Sequence, residues 1–182
     1  MTLKMPSISK ILSLGILLWG ISASAHASLV TGLSDTQIQN VLENYFPISE
    51  YAASARVSLH KPQVRLQKEN NDIVLIIPMT ANVMGGTQHQ GHATIQVKLA
   101  YKAPTGGLYF SQPSIQQFEI PGLDKNMLAE LRGIVETMAA NSLPVVRIYT
   151  VEEHELNHSL SKSTLKSSEI EDGRLRLEFG FK

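Results

Sequence analysis

The longest regular pattern of apolar and polar residues in this chain lies between Leu123 and Leu143. Apolar residues recur there at three- and four-residue steps, and charged residues such as Lys125 and Glu136 fall between them. This spacing is typical of an α-helix with one apolar and one charged face. Asp124 is a candidate N-cap, and Pro144 would end the helix. We therefore predict a long amphipathic helix that needs a large apolar partner.

A second helix is predicted near the start of the globular part. Ser34 is followed three residues later by Gln37, which is the spacing of a capping box. Leu33 and Ile38 flank this pair at the positions of a hydrophobic staple. The pattern predicts a helix from about Asp35 to Tyr45.

Between the two helices the apolar period changes from about 3.6 to 2, which indicates β-strands. The continuous apolar run from Ile73 to Ile77 suggests a central strand that is buried on both faces. We predict an antiparallel meander of four strands: Ala55 to Gln67 with a bulge at Pro62, Ile73 to Met84, Ala93 to Tyr101, and Leu108 to Ile120 with a bulge at Pro113.

The same period continues after the long helix. We expect a strand from Val145 to Val151, a weakly helical segment from Glu152 to Ser161, and a closing hairpin of Ser168 to Glu171 and Arg174 to Phe181. Sequence-adjacent antiparallel strands with separate helices define the α+β class.

The first 27 residues have the pattern of a secretory signal peptide. Lys4 and Lys10 give a basic start, the apolar run covers Ile11 to Ile21, and small residues stand in Ala25-His26-Ala27. The run is too short to cross a bilayer as a helix, which takes about 20 residues. We expect cleavage before Ser28 and a single domain from residue 28 to 182.

The charge and cysteine content of the chain limit which kinds of partner and which kinds of stabilisation we expect. The chain has 16 basic and 16 acidic residues and no cysteine. No cluster of Lys or Arg could follow a phosphate backbone, so nucleic acid is not an expected partner. An exported domain without disulfides must be held by its core alone. We expect a periplasmic protein with no cofactor and no membrane span after the leader.

Four segments of this chain resemble the YceB-like family of bacterial envelope proteins. They are Leu33–Ile38, Ala55–Leu59, Val146–Val151 and Leu165–Leu177. The resemblance covers nearly all of the mature chain and rests on the pattern and order of elements. It implies a fold similar to the tubular lipid-binding (TULIP) superfamily, in which a strongly curved antiparallel sheet wraps a long helix. The founding protein looks like a lipoprotein, whereas this chain has no cysteine to carry a lipid.

One short motif points to metal chemistry. The segment from His154 to His158 matches H-E-x-x-H, in which two histidines at i and i+4 of a helix could bind zinc with Glu155 as general base. The segment is short and polar, and no third ligand is evident. We interpret it as two exposed histidines and keep a zinc-dependent hydrolase as an alternative.

Other catalytic signatures are missing from the sequence. His89 and His92 are three residues apart in a predicted strand, so they should face opposite sides of the sheet and bind no common metal. There is no Gly-x-Ser-x-Gly motif and no thiol nucleophile. A non-catalytic protein is therefore the expected class.

Two non-enzymatic functions remain open. The first is binding of a lipid or other apolar ligand between the long helix and the sheet, and the second is interaction with another envelope protein through an exposed face or edge strand. The candidate wall residues of the ligand site are Leu128, Leu131, Val135, Met138, Val97 and Leu99.

Export can be tested directly. We expect the secreted protein to begin at Ser28 and to stay in the periplasmic fraction, because the leader carries the features that signal peptidase reads. Intact-mass measurement of the protein released from the periplasm checks this. Retention of residues 1–27 on membrane-bound protein would contradict it.

Overall fold

The computed structural model describes residues 28–52, 55–83, 86–152 and 162–181 of this chain. They form an α+β fold with a curled antiparallel sheet, shaped as a half-barrel, and two helices. The predicted α+β class is confirmed. The predicted leader, residues 1–27, lies outside the described residues.

The helices are α1 (Asp35–Glu43) and α2 (Lys125–Ser142). The strands are β1 (Leu29–Ser34), β2 (Ile48–Tyr51), β3 (Ala55–Leu59), β4 (Gln63–Gln67), β5 (Asp72–Val83), β6 (Gln88–Lys102), β7 (Gly107–Glu119), β8 (Arg147–Thr150), β9 (Ser163–Glu171) and β10 (Arg174–Phe181). Short 3-10 turns follow β6 and α2.

Both helix starts match the sequence prediction. The Ser34 side chain accepts a hydrogen bond from the Gln37 N–H at 3.1 Å, and the Gln37 side chain accepts one from the Ser34 N–H at 2.9 Å. The Asp124 carboxylate accepts bonds from the N–H groups of Asn126 and Met127. These bonds satisfy backbone donors that have no partner within the helix.

The large sheet has the order β2-β3-β5-β6-β7-β8, and β4 also pairs with β5. The predicted long strand with a bulge at Pro62 is instead two strands, β3 and β4, separated by residues 60–62. The Gln39 side chain of α1 occupies this interruption. Its amide donates to the Pro62 carbonyl and accepts from the Val64 N–H, so the helix supplies hydrogen bonds that the strand has lost.

The predicted bulge at Pro113 is confirmed. The register between β6 and β7 shifts beside Gln96 and Lys98, and Gln112 has a φ of 46°. Next to this irregular stretch, the Arg132 guanidinium of α2 donates to the Ile115 carbonyl at 3.1 Å. The bulged strand is thereby fixed to the long helix.

The C-terminal hairpin does not extend the large sheet. The prediction of one continuous curved sheet that includes these strands is therefore wrong. The hairpin forms a separate three-stranded sheet of order β1-β10-β9. Strand β1 was not predicted, because its six residues include Gly32 and run directly into the capping sequence of α1. A strand this short becomes recognisable only through its partner, since Leu33 pairs with Leu175.

The two sheets meet through aromatic and polar contacts. The ring of Phe179 lies 5.0 Å from that of Tyr101 and 6.3 Å from that of Tyr149, measured between centroids. The Tyr101 hydroxyl is 2.7 Å from the hydroxyl of the buried Ser163. The Asn71 amide donates to a backbone carbonyl of β9 and accepts from a backbone N–H of the same strand. The small sheet is thus held by both packing and hydrogen bonds.

The core lies on the concave face of the large sheet. Alternate residues of β3, β5 and β6 are buried there, which confirms the predicted dry face. We call the buried residues on this face the concave column. They are Ala55, Val57, Leu59, Ile73, Leu75, Ile77, Met79, Ala81, Ala93, Ile95 and Val97. On the convex face of β5, Val74 is also buried and Ile76 is half-buried, so the expectation of a strand buried on both faces holds for its first half.

Gly91 leaves room on the concave face of β6 for Glu119 and Ile120, at the end of β7. A Cβ at this position would contact the Glu119 carbonyl and would lie 2.7 Å from Cγ1 of Ile120. Gly91 pairs with Met79, so the space is part of the core.

We expect Gly91→Ala to lower the free energy of unfolding by about 1–3 kcal/mol, because the methyl group meets backbone that has no room to move. Chemical denaturation measures the change. Gly133→Ala is the matched control, since a Cβ there meets nothing within 4 Å. In the helix interior it should raise stability by about 0.5–1 kcal/mol. Equal effects of the two substitutions would contradict this packing.

Candidate functional site

The long helix α2 lies against strands β3 and β7 of the large sheet. Its inward stripe is apolar and buried over the C-terminal two thirds of the helix, through Leu131, Val135, Met138 and Ala139. Three of the predicted wall residues therefore face the core, at 0 %, 0 % and 5 % exposure for Leu131, Val135 and Met138.

Burial decreases toward the N-terminus of α2. Met127 and Leu128 are only half-buried, as is Leu123 in the preceding loop, although all three pack against the core. Phe118, near the end of β7, is half-buried beside the same core. We call Leu123, Met127, Leu128 and Phe118 the rim, because they form the partly exposed apolar border of the helix–sheet interface.

The other two predicted wall residues lie elsewhere. Val97 is buried and Leu99 is half-buried on the concave face of β6. Together with Leu175 of the small sheet they border a gap of about 40 Å³ between the two sheets. The structure therefore brings Leu131, Val135 and Met138 together under the helix and places Val97 and Leu99 at the junction of the sheets.

A histidine reaches the concave side of the same interface. His89 pairs with the buried Ala81, so its side chain belongs to the concave face, and it is half-buried. A Cβ at Gly122, in the loop before α2, would lie 3.9 Å from its Nδ1 atom. The only prediction for His89 was that it shares no metal with His92. Its alternation with Gly91 and Ala93 in the sequence could also have assigned it to the apolar face.

His92 lies on the opposite face, as predicted from the spacing of the two histidines. It pairs with the exposed Pro78, and its Nε2 atom is 3.9 Å from a Glu119 carboxylate oxygen. His89 and His92 therefore bind no common metal.

The interior between helix and sheet is uncharged. Within the described ranges, Ser163 is the one buried polar residue, and every buried side-chain nitrogen or oxygen atom has a hydrogen-bond partner. The rest of the described core is hydrocarbon and aromatic surface. Such a surface can hold an apolar molecule by burial.

Three larger clefts lie on the outside of the fold. A cleft of about 330 Å³ lies on the small sheet, lined in part by Val30, Gly32, Arg174 and Arg176. A second, of about 270 Å³, lies on the convex face of the large sheet. A third, of about 180 Å³, lies between α1 and β4.

The H-E-x-x-H segment of His154, Glu155 and His158 falls outside the described residues. Across residues 28–52, 55–83, 86–152 and 162–181, no group of three or more His, Cys, Asp or Glu side chains is placed to hold a metal ion.

A family comparison fits the chain from the first capping sequence to the final hairpin. A family model with the description "Protein of unknown function (DUF1439)" matches residues 33–174. This chain belongs to the DUF1439 family. A search of curated proteins found no match. In the part of the DUF1439 chain that the structure describes, neither helix is long and apolar enough to cross a membrane.

The histidine pair can be tested by metal analysis. We expect the purified protein to contain no stoichiometric zinc, and we expect the double substitution of His154 and His158 by alanine to leave the thermal midpoint unchanged, because exposed substitutions usually change stability by less than about 0.5 kcal/mol. Mass spectrometry of the native protein and a melting curve check both points. One zinc per chain that the double variant loses would contradict the interpretation.

Proposed function

We propose that this DUF1439 protein is an exported, periplasmic and non-catalytic protein that binds a lipid or a similar apolar molecule between α2 and the concave face of the large sheet. The observation that carries the proposal is the gradient of burial along α2. Its inner stripe is apolar throughout, fully buried toward the C-terminus and half-buried at the rim. The leader of residues 1–27 and the resemblance to the YceB-like family support the compartment.

The wall chemistry suits a hydrocarbon chain. Burial of apolar surface contributes about 25 cal/mol per Å², so an acyl chain gains most where no polar group competes for space. The concave column supplies such a wall. Two of the buried side chains are methionines, Met79 in the sheet and Met138 in the helix, and methionine adapts its shape to irregular apolar partners.

The N-terminal third of α2 would be the part of the helix that moves. Its apolar side chains Met127 and Leu128 are half-buried, whereas Leu131, Val135 and Met138 further along the helix are buried. The N-terminal third of α2 can separate from the sheet at lower cost than the C-terminal part, because less of its surface is buried. The sheet would then wrap the helix and ligand together, as in the TULIP superfamily.

The rim would be the route of access. The acyl chain would pass between Met127 or Leu128 and the end of β7, and its polar end would remain near His89 and the loop at Gly122. A histidine can donate or accept a hydrogen bond, and it suits the boundary between an apolar site and water.

A second function is favoured by one separate observation. Strand β2 is an edge strand of the large sheet, and Tyr51 at its end is 70 % exposed, with the Arg56 guanidinium 4.8 Å from its ring centroid. Tyrosine and arginine are enriched at binding hot spots. An envelope protein could add a strand to this edge without any ligand in the core.

Native mass spectrometry of protein purified from the periplasm without detergent tests the ligand. We expect a lipid adduct at one molecule per chain. We expect Leu128→Glu to lose the adduct, because a carboxylate at the rim faces the hydrocarbon chain without a partner. Leu128 is half-buried, so the variant should still fold.

Ala129→Glu is the matched control, since Ala129 is exposed on the next position of the same helix. This variant should keep the adduct. A wild-type protein that carries no lipid, or an adduct that both variants keep, would contradict the proposal. In that case, binding of an envelope protein to the wild type that the Tyr51→Ala variant loses would support the edge-strand alternative.

A further inference from the structure

The cleft of about 270 Å³ on the convex face of the large sheet is lined mainly by uncharged amides and hydroxyls. It spans β4, the turn after it, β5, β6 and β7, on the face opposite to α2. Its lining residues are Gln67, Asn70, Asp72, Val74, Thr94, Gln96, Gln116 and Gln117.

Strand register brings these side chains together. Val74 pairs with Gln96, and Thr94 pairs with Gln117, so all four belong to the convex face. The bulge of β7 adds Gln116 to the border of the same cleft. The sequence separates these residues widely, and only the order of strands in the sheet reveals the cluster.

The floor of the cleft contains one apolar side chain, Val74, which is buried. Val74 is 6 % exposed, and Ile76, two residues further along β5, is half-buried. Val74 pairs with Gln96 and Ile76 pairs with Thr94, so polar side chains of β6 lie beside both residues.

The charges in the cleft are paired with each other. The Asp72 carboxylate accepts a hydrogen bond from the Gln96 amide and lies 3.2 Å from the Lys98 ammonium. The side chain of Asp72 is 15 % exposed. The site therefore presents little net charge, which gives a phosphate or a nucleic acid no electrostatic anchor.

Several amides in the cleft have unused hydrogen-bonding capacity. Within the described residues, the side chains of Gln67, Asn70 and Gln117 make no hydrogen bond to protein, while the Gln116 amide donates to the Ser114 hydroxyl at 3.2 Å. Each of these amides offers two N–H donors and one carbonyl acceptor. A ligand that carries many hydroxyl groups can use both functions of every amide.

We propose that this convex cleft binds a neutral glycan chain. The hydroxyl groups of a sugar ring match the amides of Gln67, Gln96 and Gln117, which line the cleft. The volume of the cleft, about 270 Å³, is just below the range of about 300–1,000 Å³ for ligand sites, which suits a short stretch of sugar rather than a whole oligosaccharide. This site is separate from the proposed lipid site and does not depend on it.

The proposal is tested with two neutral probes, chitotetraose and cellotetraose, and one charged probe, a heparin-derived tetrasaccharide. We expect at least one neutral probe to bind in calorimetry and to shift the NMR signals of the side-chain amides of Gln67, Gln96 and Gln117. The charged probe should not bind. Binding of the neutral probe should change little with salt, because no ion pair is involved.

The double variant Gln67→Ala with Gln117→Ala should weaken binding about tenfold or more, since each lost neutral hydrogen bond contributes up to about tenfold in affinity. The matched control is Gln88→Ala with Gln90→Ala, because both glutamines are exposed on β6 outside the cleft. It should bind as tightly as the wild type.

Three results would overturn the proposal. They are no binding of either neutral probe, equal binding by the cleft variant and the wild type, and salt-sensitive binding of the charged probe alone. The Leu128→Glu variant distinguishes this site from the lipid site, because it should lose the lipid and keep the glycan. The melting curve of each variant shows that loss of binding is not loss of folding.

Discussion

The alternation of apolar and polar residues in the large sheet is the constraint on which the remaining structure depends. It produces a curved surface with a hydrocarbon face that is unstable in water. Helix α2 covers one part of that face and the small sheet contributes to covering another, through Phe179 and Leu175. Because these covers come from distant parts of the chain, the interior has two different junctions, one between helix and sheet and one between the two sheets.

The sequence predicts the elements whose signals are local. The capping box of α1, the N-cap of α2, the bulge at Pro113 and the alternation of β5 and β6 follow from neighbouring residues, and the structure agrees with them. The division into two sheets does not follow from local patterns. It depends on pairing between β1 and β10, and no residue in the short segment Leu29–Ser34 indicates that β10 is its partner.

The candidate sites show the same limit. The inward positions of Leu131, Val135 and Met138 follow from helical periodicity, but their separation from Val97 and Leu99 depends on where the small sheet docks. The convex amide cluster was missed for a related reason. Glutamines on an exposed strand face are ordinary when they are seen one strand at a time, and they form a cleft only when four strands are laid side by side.

The pairing of β1 with β10 has a consequence for synthesis and folding. Arg174 donates to the carbonyl of Gly32, although the two residues are 142 positions apart in the chain. Contacts between such distant segments form late and slowly, because a long loop must close first. The large sheet can assemble from local hairpins while the chain is still emerging. The first strand, however, must wait unpaired until the last one arrives, so the final docking of the two ends should set the rate at which a complete domain forms.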